Sequence, residues 1–435
     1  MPPGIGWRSK PFIANGLLRQ EFFEPFAQIR FRNQRLNYKA MNTNPFNPFT
    51  EEHELLAQSL RDFLKKEVTP YVDQWEKDGH CPPEIFQKMG EQGFFGVSYP
   101  EEVGGSGMDL WAAVIVAREI AYANCGGLAL SMYAHAYLPP PLINAVGTEA
   151  QKIKYLIPAL KGEKICALGV TEPGAGSDVG GIKTKAEDMG DHWLINGSKT
   201  FITNGNIADF ILLAARTGEG HTLSLFLFDT STEGYSSQPV GDKLGMHSSD
   251  TALCFFDNCK IPKDALVGDK DFGFYYIMNN FQEERLIGAI MGTYAAEFAL
   301  EKAKKYCQER EAFGRKIGGF QVVRHKLAQM AIKVETCRSI AFRAIYEYIE
   351  KGPMAVGIIS MAKAYVSETC MEVINEALQL HGGNGYMEEF GIARAWRDCR
   401  LMTIGAGTTE IMHEIVSKLI VDDVKHEKIL MDTHV

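Results

Sequence analysis

The chain has 435 residues, 46% of them hydrophobic and 23% charged. That length suggests two or three domains, and the composition excludes a disordered chain while supplying apolar material for several cores. A formal net charge of −9 lacks the basic footprint of a nucleic-acid binder, yet leaves room for an anionic cofactor at a local basic or amide-lined site.

Residues 1–45 read as a leader. Arg8, Lys10, Arg19, Arg30, Arg32, Arg35 and Lys39 face only Glu21 and Glu24 within the first forty positions, as in an organellar transit peptide. Such segments are usually serine-rich, and Ser9 stands alone. Translation from Met41 is the second reading, and both stay open. The compartment follows: mitochondrial matrix for a transit peptide, cytoplasm for a bacterial protein.

Residues 46–163 read as an N-terminal helical domain. Thr50 is an N-cap candidate, with Glu51 and Glu52 in the first turn and Leu55, Leu56, Leu60, Phe63 and Leu64 at helical spacing. Between Glu119 and Glu149 there is no Asp, Glu, Lys or Arg. Gly126-Gly127 and Pro139-Pro140-Pro141 interrupt that stretch, which predicts two buried helices and no membrane span. Residues 164–272 change to short β-type runs such as 210–213 and 223–228, separated by turn residues. With no long helix between strands, the sheet is expected to be antiparallel, barrel-like or sandwich-like. Residues 273–435 return to helix, with the composition pointing to Ala295–Gln308, Val322–Lys351 and Ala355–Leu380. The order is all-α, all-β, all-α: an α+β multidomain chain.

Nine cysteines are scattered without a CxxC pair, and eleven histidines include no HExxH. Reduced, partly buried thiols and no metal are expected. Three glycine clusters, 174–178, 382–385 and 405–408, fail the dinucleotide fingerprint because its third glycine is missing or its strand-to-helix context is absent. Together they suggest backbone amides placed for close approach to phosphates or a planar ring.

The segment Val170-Thr171-Glu172-Pro173-Gly174-Ala175-Gly176-Ser177-Asp178 resembles the flavin-dependent acyl-CoA dehydrogenases. So do Asn196-Gly197-Ser198-Lys199 with Ile202-Thr203-Asn204-Gly205, and Arg310 with Phe313-Gly314. Gln379-Leu380-His381-Gly382-Gly383-Asn384-Gly385-Tyr386 and Gly407-Thr408-Thr409-Glu410-Ile411 complete the set, in the family's order from about Thr50 to Val421. The resemblance implies FAD at a subunit boundary of a homotetramer built as a dimer of dimers. Leu168, Thr171, Gly176, Ser177, Phe201, Ile202 and Thr203 would surround the flavin. Arg310, Phe313, Gln321 and Gln379, Leu380, His381, Gly382 and Gly383 would hold pyrophosphate and adenosine, largely from a neighbouring subunit, with Thr408 and Glu410 beside the same cofactor. Phe201 stands where many members have tryptophan. Ser177, Tyr275, Gln282, Arg285, Ala406 and Gly407 would contact substrate.

The reaction implied is α,β-dehydrogenation of an acyl-CoA, which needs a base for the α proton. Short- and medium-chain members place a glutamate just before the last Gly-Thr; here that position is Ala406. Isovaleryl- and long-chain-type members use a glutamate before an arginine on a C-terminal-domain helix, and the matching Phe281-Gln282-Glu283-Glu284-Arg285 selects Glu284. Periodicity agrees without deciding. Glu284 shares a helical stripe with Phe281, Gly288 and Met291, an apolar setting that would raise a carboxyl pKa, while Glu283 shares one with Ile287 and Ile290. His381 and His247 read as structural. The resemblance implies electrons passed to an electron-transferring flavoprotein, in fatty-acid β-oxidation or branched-chain amino-acid catabolism. The rivals are an acyl-CoA oxidase, whose extra helical domain this length cannot hold, an NAD-linked dehydrogenase, whose fingerprint is missing, and a non-catalytic flavin or acyl-CoA binding protein.

Overall fold

The computed structural model describes residues 47–219 and 222–421. The leader expected over residues 1–45 lies outside them, as do both readings of it. Helices α1 (Glu51–Glu67), α2 (Val72–Asp78), α3 (Glu84–Glu91), α4 (Leu110–Tyr122), α5 (Gly126–Tyr137) and α6 (Pro139–Val146) come first. Thr50 does cap α1: its hydroxyl accepts from the His53 N–H, and the His53 ring answers at the Thr50 N–H, 3.0 Å away. A histidine thus fills the reciprocal role usually given to Glu or Gln. The other ring nitrogen lies 2.9 Å from Asp109, which itself caps α4. The charge-free stretch forms α5 and α6, both largely buried. Pro139 heads α6, where a missing N–H is harmless. Among the described residues no helix is long and apolar enough to cross a membrane.

The middle segment folds into an eight-stranded sheet: β1 (Cys166–Gly169), β2 (Lys185–Asp188), β3 (His192–Thr203), β4 (Phe210–Arg216), β5 (Leu223–Asp229), β6 (Tyr235–Pro239), β7 (Thr251–Pro262) and β8 (Leu266–Val267). The order is β6-β7-β3-β2-β4-β5-β8, with β1 also beside β4. The sheet is mixed, which corrects the expectation of an antiparallel one: β1 and β2 both run parallel to β4, sharing one of its edges end to end. A helix is the usual crossover between parallel strands. Here the loop 170–184 and the β2–β3 hairpin make it, so no helical signal in the sequence announces it.

β4 and β5 are buried on both faces, and their alternate residues enter different cores. Phe210, Leu212, Leu225 and Leu227 join the helical core, whereas Ile211, Leu213, Phe226 and Phe228 fill the core on the opposite face. The two-residue period of a strand makes that division.

Helix α7 (Gly273–Glu309) runs 37 residues, continuous from the expected return to helix through Ala295–Gln308. Gln282 and Arg285 are buried along with its apolar positions, so no clean amphipathic stripe marks the first half. A two-stranded hairpin follows, β9 (Glu311–Ala312) and β10 (Arg315–Lys316), then α8 (Gln321–Lys351), α9 (Val356–His381), α10 (Ile392–Cys399) and α11 (Thr409–Val421). All nine cysteines are buried, free thiols. Among the described residues no three His, Cys, Asp or Glu side chains group as metal ligands.

Candidate active site

An apolar cavity of about 180 Å3 lies between α4, α5, α7, α9 and the 401–406 loop. Leu130, Met291, Phe298 and Ile374 give it a hydrocarbon lining, and its few polar groups include Glu284, Arg285, Lys363 and Asp398. Gly288 and Met291 line it beside Glu284, the stripe that the sequence placed on one helix face. Glu283, one residue earlier, turns away and accepts a hydrogen bond from the Tyr348 hydroxyl at 3.2 Å. The structure therefore separates two glutamates that periodicity could not.

Among the described residues the Glu284 carboxylate accepts no hydrogen bond. Burial among apolar groups pushes its pKa up to about 7, with Arg285 and Lys363 opposing the rise. A base with that affinity is half ionised near neutral pH, where general-base catalysis is most effective. The Tyr133 hydroxyl donates to the main-chain carbonyl of Glu284, which ties α5 to this turn of α7.

Ala406 opens into the same cavity. Its φ is +55° and that of Gly407 is +87°, two left-handed residues in succession. The left-handed backbone of Gly407 favours glycine; a Cβ there would meet only the terminal methyl of Met412, at 2.8 Å, which a flexible side chain can move aside. Arg285 Nε donates to the Ala406 carbonyl at 3.4 Å, and Lys363 Nζ donates to that of Gly407. The Ala406 N–H donates to no group among the described residues. Of the other expected substrate contacts, Gln282 is buried and donates to the Met278 carbonyl at 3.1 Å, its amide oxygen unpartnered. Tyr275 and Ser177 stand exposed at the surface.

The residues expected to hold FAD form exposed rims. Between Lys199 and Ile202 the β3–β7 register slips by one residue, and Phe201, in the bulge this makes within β3, has φ +57° and is 68% exposed. A bulge of this kind re-aims a side chain. Thr171 is fixed nearby, its carbonyl accepting from the Thr200 N–H at 2.9 Å. Leu168 and Thr203 are half-buried, and the Ile202 side chain is buried in the sheet core. On the helical side, Phe313 and Gly314 form the tip of the β9–β10 hairpin with positive φ at both positions. That turn lifts Phe313 to 95% exposure. Arg310, Gln321 and Gln379 are exposed as well, and Leu380 is half-buried. The His381 ring packs inward on Tyr306, centroids 4.4 Å apart, which leaves only its backbone for a ligand. Thr408 caps α11, accepting from the Ile411 N–H at 3.3 Å, and Glu410 follows it on the surface.

These rims fit a large planar, phosphorylated group. A Cβ built on Gly174, Gly176 or Gly383 would meet nothing within 4 Å, and none of the three has a positive φ. This chain's own packing and backbone do not demand glycine there, which suits close approach by an external group. Two residues escaped the sequence reading. Lys363, a lone cation in the apolar run Met361-Ala362-Lys363-Ala364, carried the visible signal of a charge out of pattern. Tyr133 carried none, being one aromatic in an apolar helix.

The chain matches the family models described as acyl-CoA dehydrogenase, N-terminal domain over residues 50–163, middle domain over 167–259 and C-terminal domain over 271–421. The mitochondrial long-chain specific acyl-CoA dehydrogenase of Sus scrofa is 40% identical over 382 residues, covering 86% of this chain and 88% of its own. The caffeyl-CoA reductase–Etf complex subunit CarC of Acetobacterium woodii is 37% identical over 379 residues, covering 86% of this chain and 99% of its own. A crystal structure of an acyl-CoA dehydrogenase from Geobacillus kaustophilus has a TM-score of 0.81 at 39% identity, covering 86% of this chain and 99% of that one.

Proposed function

Because the chain belongs to the acyl-CoA dehydrogenase family, we propose that it removes the α proton and β hydride of an acyl-CoA thioester and releases the trans-2-enoyl-CoA. One observation carries the assignment of the base: the Glu284 carboxylate, bare of hydrogen bonds, faces the same apolar cavity as Ala406, whose N–H is unpartnered. Glu284 takes the α proton on a carboxylate oxygen. The Ala406 N–H donates to the thioester carbonyl, where negative charge grows as that proton leaves. The apolar lining keeps water from the carboxylate and the developing enolate. FAD is the cofactor, and when bound it supplies the acceptor for the β hydride. Thr171, Ser177 and Phe201 would hold its ring, and Arg310, Gln321 and the 379–383 backbone its phosphates and adenosine.

The exposed Phe313 and Tyr386, at 95% and 85%, support a homotetramer in which those segments serve a neighbour's cofactor, since large apolar surfaces left to water mark association sites. Electrons pass on to an electron-transferring flavoprotein, a reading supported by the relative named for an Etf complex. The substrates are long-chain or isovaleryl-like acyl groups, in fatty-acid β-oxidation or branched-chain catabolism. Two features support this: the base sits on the helix, and Gly405 and Ala406 leave room beside the thioester.

Anaerobic mixing of the yellow protein with a panel of straight and branched acyl-CoAs is expected to bleach the flavin. A perturbed but unbleached spectrum with every member would sink the dehydrogenase reading and leave a binding protein, and rapid oxygen consumption would make it an oxidase. Because only the ionised Glu284 accepts a proton, the rate of bleaching should rise with pH through an inflection near 7 and level off above it. A flat profile between pH 6 and 9 would remove Glu284 from the role.

A further inference from the structure

We infer that Lys363 is a positioning residue for this reaction: its ammonium pins the 405–407 loop so that the Ala406 N–H stays directed at the substrate carbonyl. The inference rests on the dehydrogenase reading for its chemistry, and on the loop's geometry for its evidence.

Lys363 lies on α9 with only 3% of its surface exposed. A buried ammonium is costly unless partnered. Its hydrogen-bond partner is no carboxylate; it is the main-chain carbonyl of Gly407. Burial lowers its pKa to about 8, with Arg285 adding to the fall and Glu284 and Glu410 resisting it, so it remains largely charged at neutral pH. An ion placed so expensively on a peptide carbonyl has a local task. Ala406 occupies a left-handed conformation that an L residue holds only when its surroundings over-determine it.

The loop is held on both sides of the peptide that carries the Ala406 N–H. Upstream, the Gly405 N–H donates to the Leu401 carbonyl at 2.8 Å. Downstream, Arg285 holds the Ala406 carbonyl and Lys363 that of Gly407. Peptide planarity then leaves the intervening unit little freedom. Without Lys363 the second left-handed residue loses the one hydrogen bond it makes among the described residues, and the Ala406 N–H can rotate off the carbonyl. The same ammonium acts on the base through space. Among the described residues, the charged or titratable groups around Glu284 are Arg285 on its own helix, Tyr133 on α5, Lys363 on α9 and, across the same cavity, Asp398 on α10, whose carboxyl burial pushes up to about 6.

The test compares two ligands on the FAD-loaded enzyme by calorimetry: an enoyl-CoA, which has the thioester carbonyl, and the S-alkyl-CoA thioether of equal chain length, which lacks it. Lys363→Met should weaken the enoyl-CoA about tenfold, the value of one well-made hydrogen bond, and change the thioether by less than about twofold. Lys363→Arg should restore the enoyl-CoA affinity. Lys363→Gln, polar but one atom shorter, should show the same selective loss, and it decides the matter should the methionine variant not fold. Equal weakening of both ligands, or of neither, would overturn the inference. In the neutral variants the inflection of flavin reduction should also move above 7, and in Lys363→Arg it should stay. An unmoved inflection in Lys363→Gln would likewise count against the role. If no acyl-CoA bleaches the parent flavin, the dehydrogenase reading fails alone, because the two-ligand comparison still reports on the loop.

Discussion

Glu284→Gln is expected to bind FAD and acyl-CoA as the parent does, and to reduce its flavin roughly 10²–10⁴-fold more slowly, the usual cost of removing a general base. The amide keeps the side chain's shape in a cavity that offers the carboxylate no hydrogen bond, so no partner is orphaned and the fold should not notice. Lost activity would then report proton transfer. Glu283→Gln is the control. Its carboxylate is engaged with Tyr348 on α8, and its replacement should leave the rate of flavin reduction within a few-fold of the parent. Moving the carboxylate makes the sharper version. In Glu284→Gly with Ala406→Glu, the new side chain starts from the other wall of the same cavity, at a residue whose φ of +55° is no worse for glutamate than for alanine. Partial recovery is expected, because displacement by about 1 Å can lose on the order of 10²-fold. Unbranched substrates should benefit most, since the added carboxylate fills the space that Ala406 leaves. Stopped-flow reduction of Glu284→Gln at the parent rate would end the assignment.

The α, β, α order was legible because each part changes the period and composition of its apolar residues, and the motifs placed the resemblance on particular positions. The parallel pairing of β1 and β2 with β4 was not legible, because a loop and hairpin replace the helix that usually announces a crossover. The return to helix near residue 273 was legible, but its continuity into Ala295–Gln308 as one 37-residue helix was not, because Gln282 and Arg285 are buried along with its apolar positions. The choice between Glu283 and Glu284 shows where local pattern stops. Both have apolar neighbours at helical spacing, and what distinguishes them is Tyr348, 65 positions away in the chain. Lys363 illustrates the reverse. One charge in an apolar helix is visible in the sequence, but its partner is a backbone carbonyl 44 residues on, and no side-chain pattern encodes a carbonyl.

Lys199→Met is expected to destabilise the protein by about 3–5 kcal/mol, the range for removing one partner of a buried ion pair. Lys199 is almost fully buried, and its ammonium donates to Glu172 at 2.8 Å and to the Val170 carbonyl at 3.0 Å. Burial lowers its pKa to about 8, so the pair is ionised at neutral pH. Glu172 in turn accepts from the Lys183 N–H at 2.7 Å and the Thr184 N–H at 2.9 Å. Burial works against its charge. Lys199 and these two donors outweigh that and hold its carboxyl below the usual range. One carboxylate thus closes the 170–184 loop and fastens it to β3, the strand that carries Phe201. Methionine fills the lysine's volume but leaves a buried anion with its strongest partner gone. The loss should appear twice, as a lower unfolding midpoint at fixed FAD and as weaker FAD retention, because Thr171, Gly176 and Ser177 ride on that loop. Adding Glu172→Gln removes the stranded charge while keeping an oxygen for one of the two N–H groups. The double variant should regain about 1 kcal/mol or more over Lys199→Met, a coupling typical of directly bonded residues. If the two losses instead add, measured by denaturant unfolding of both single variants and the double, the pair is not what holds the loop to the strand.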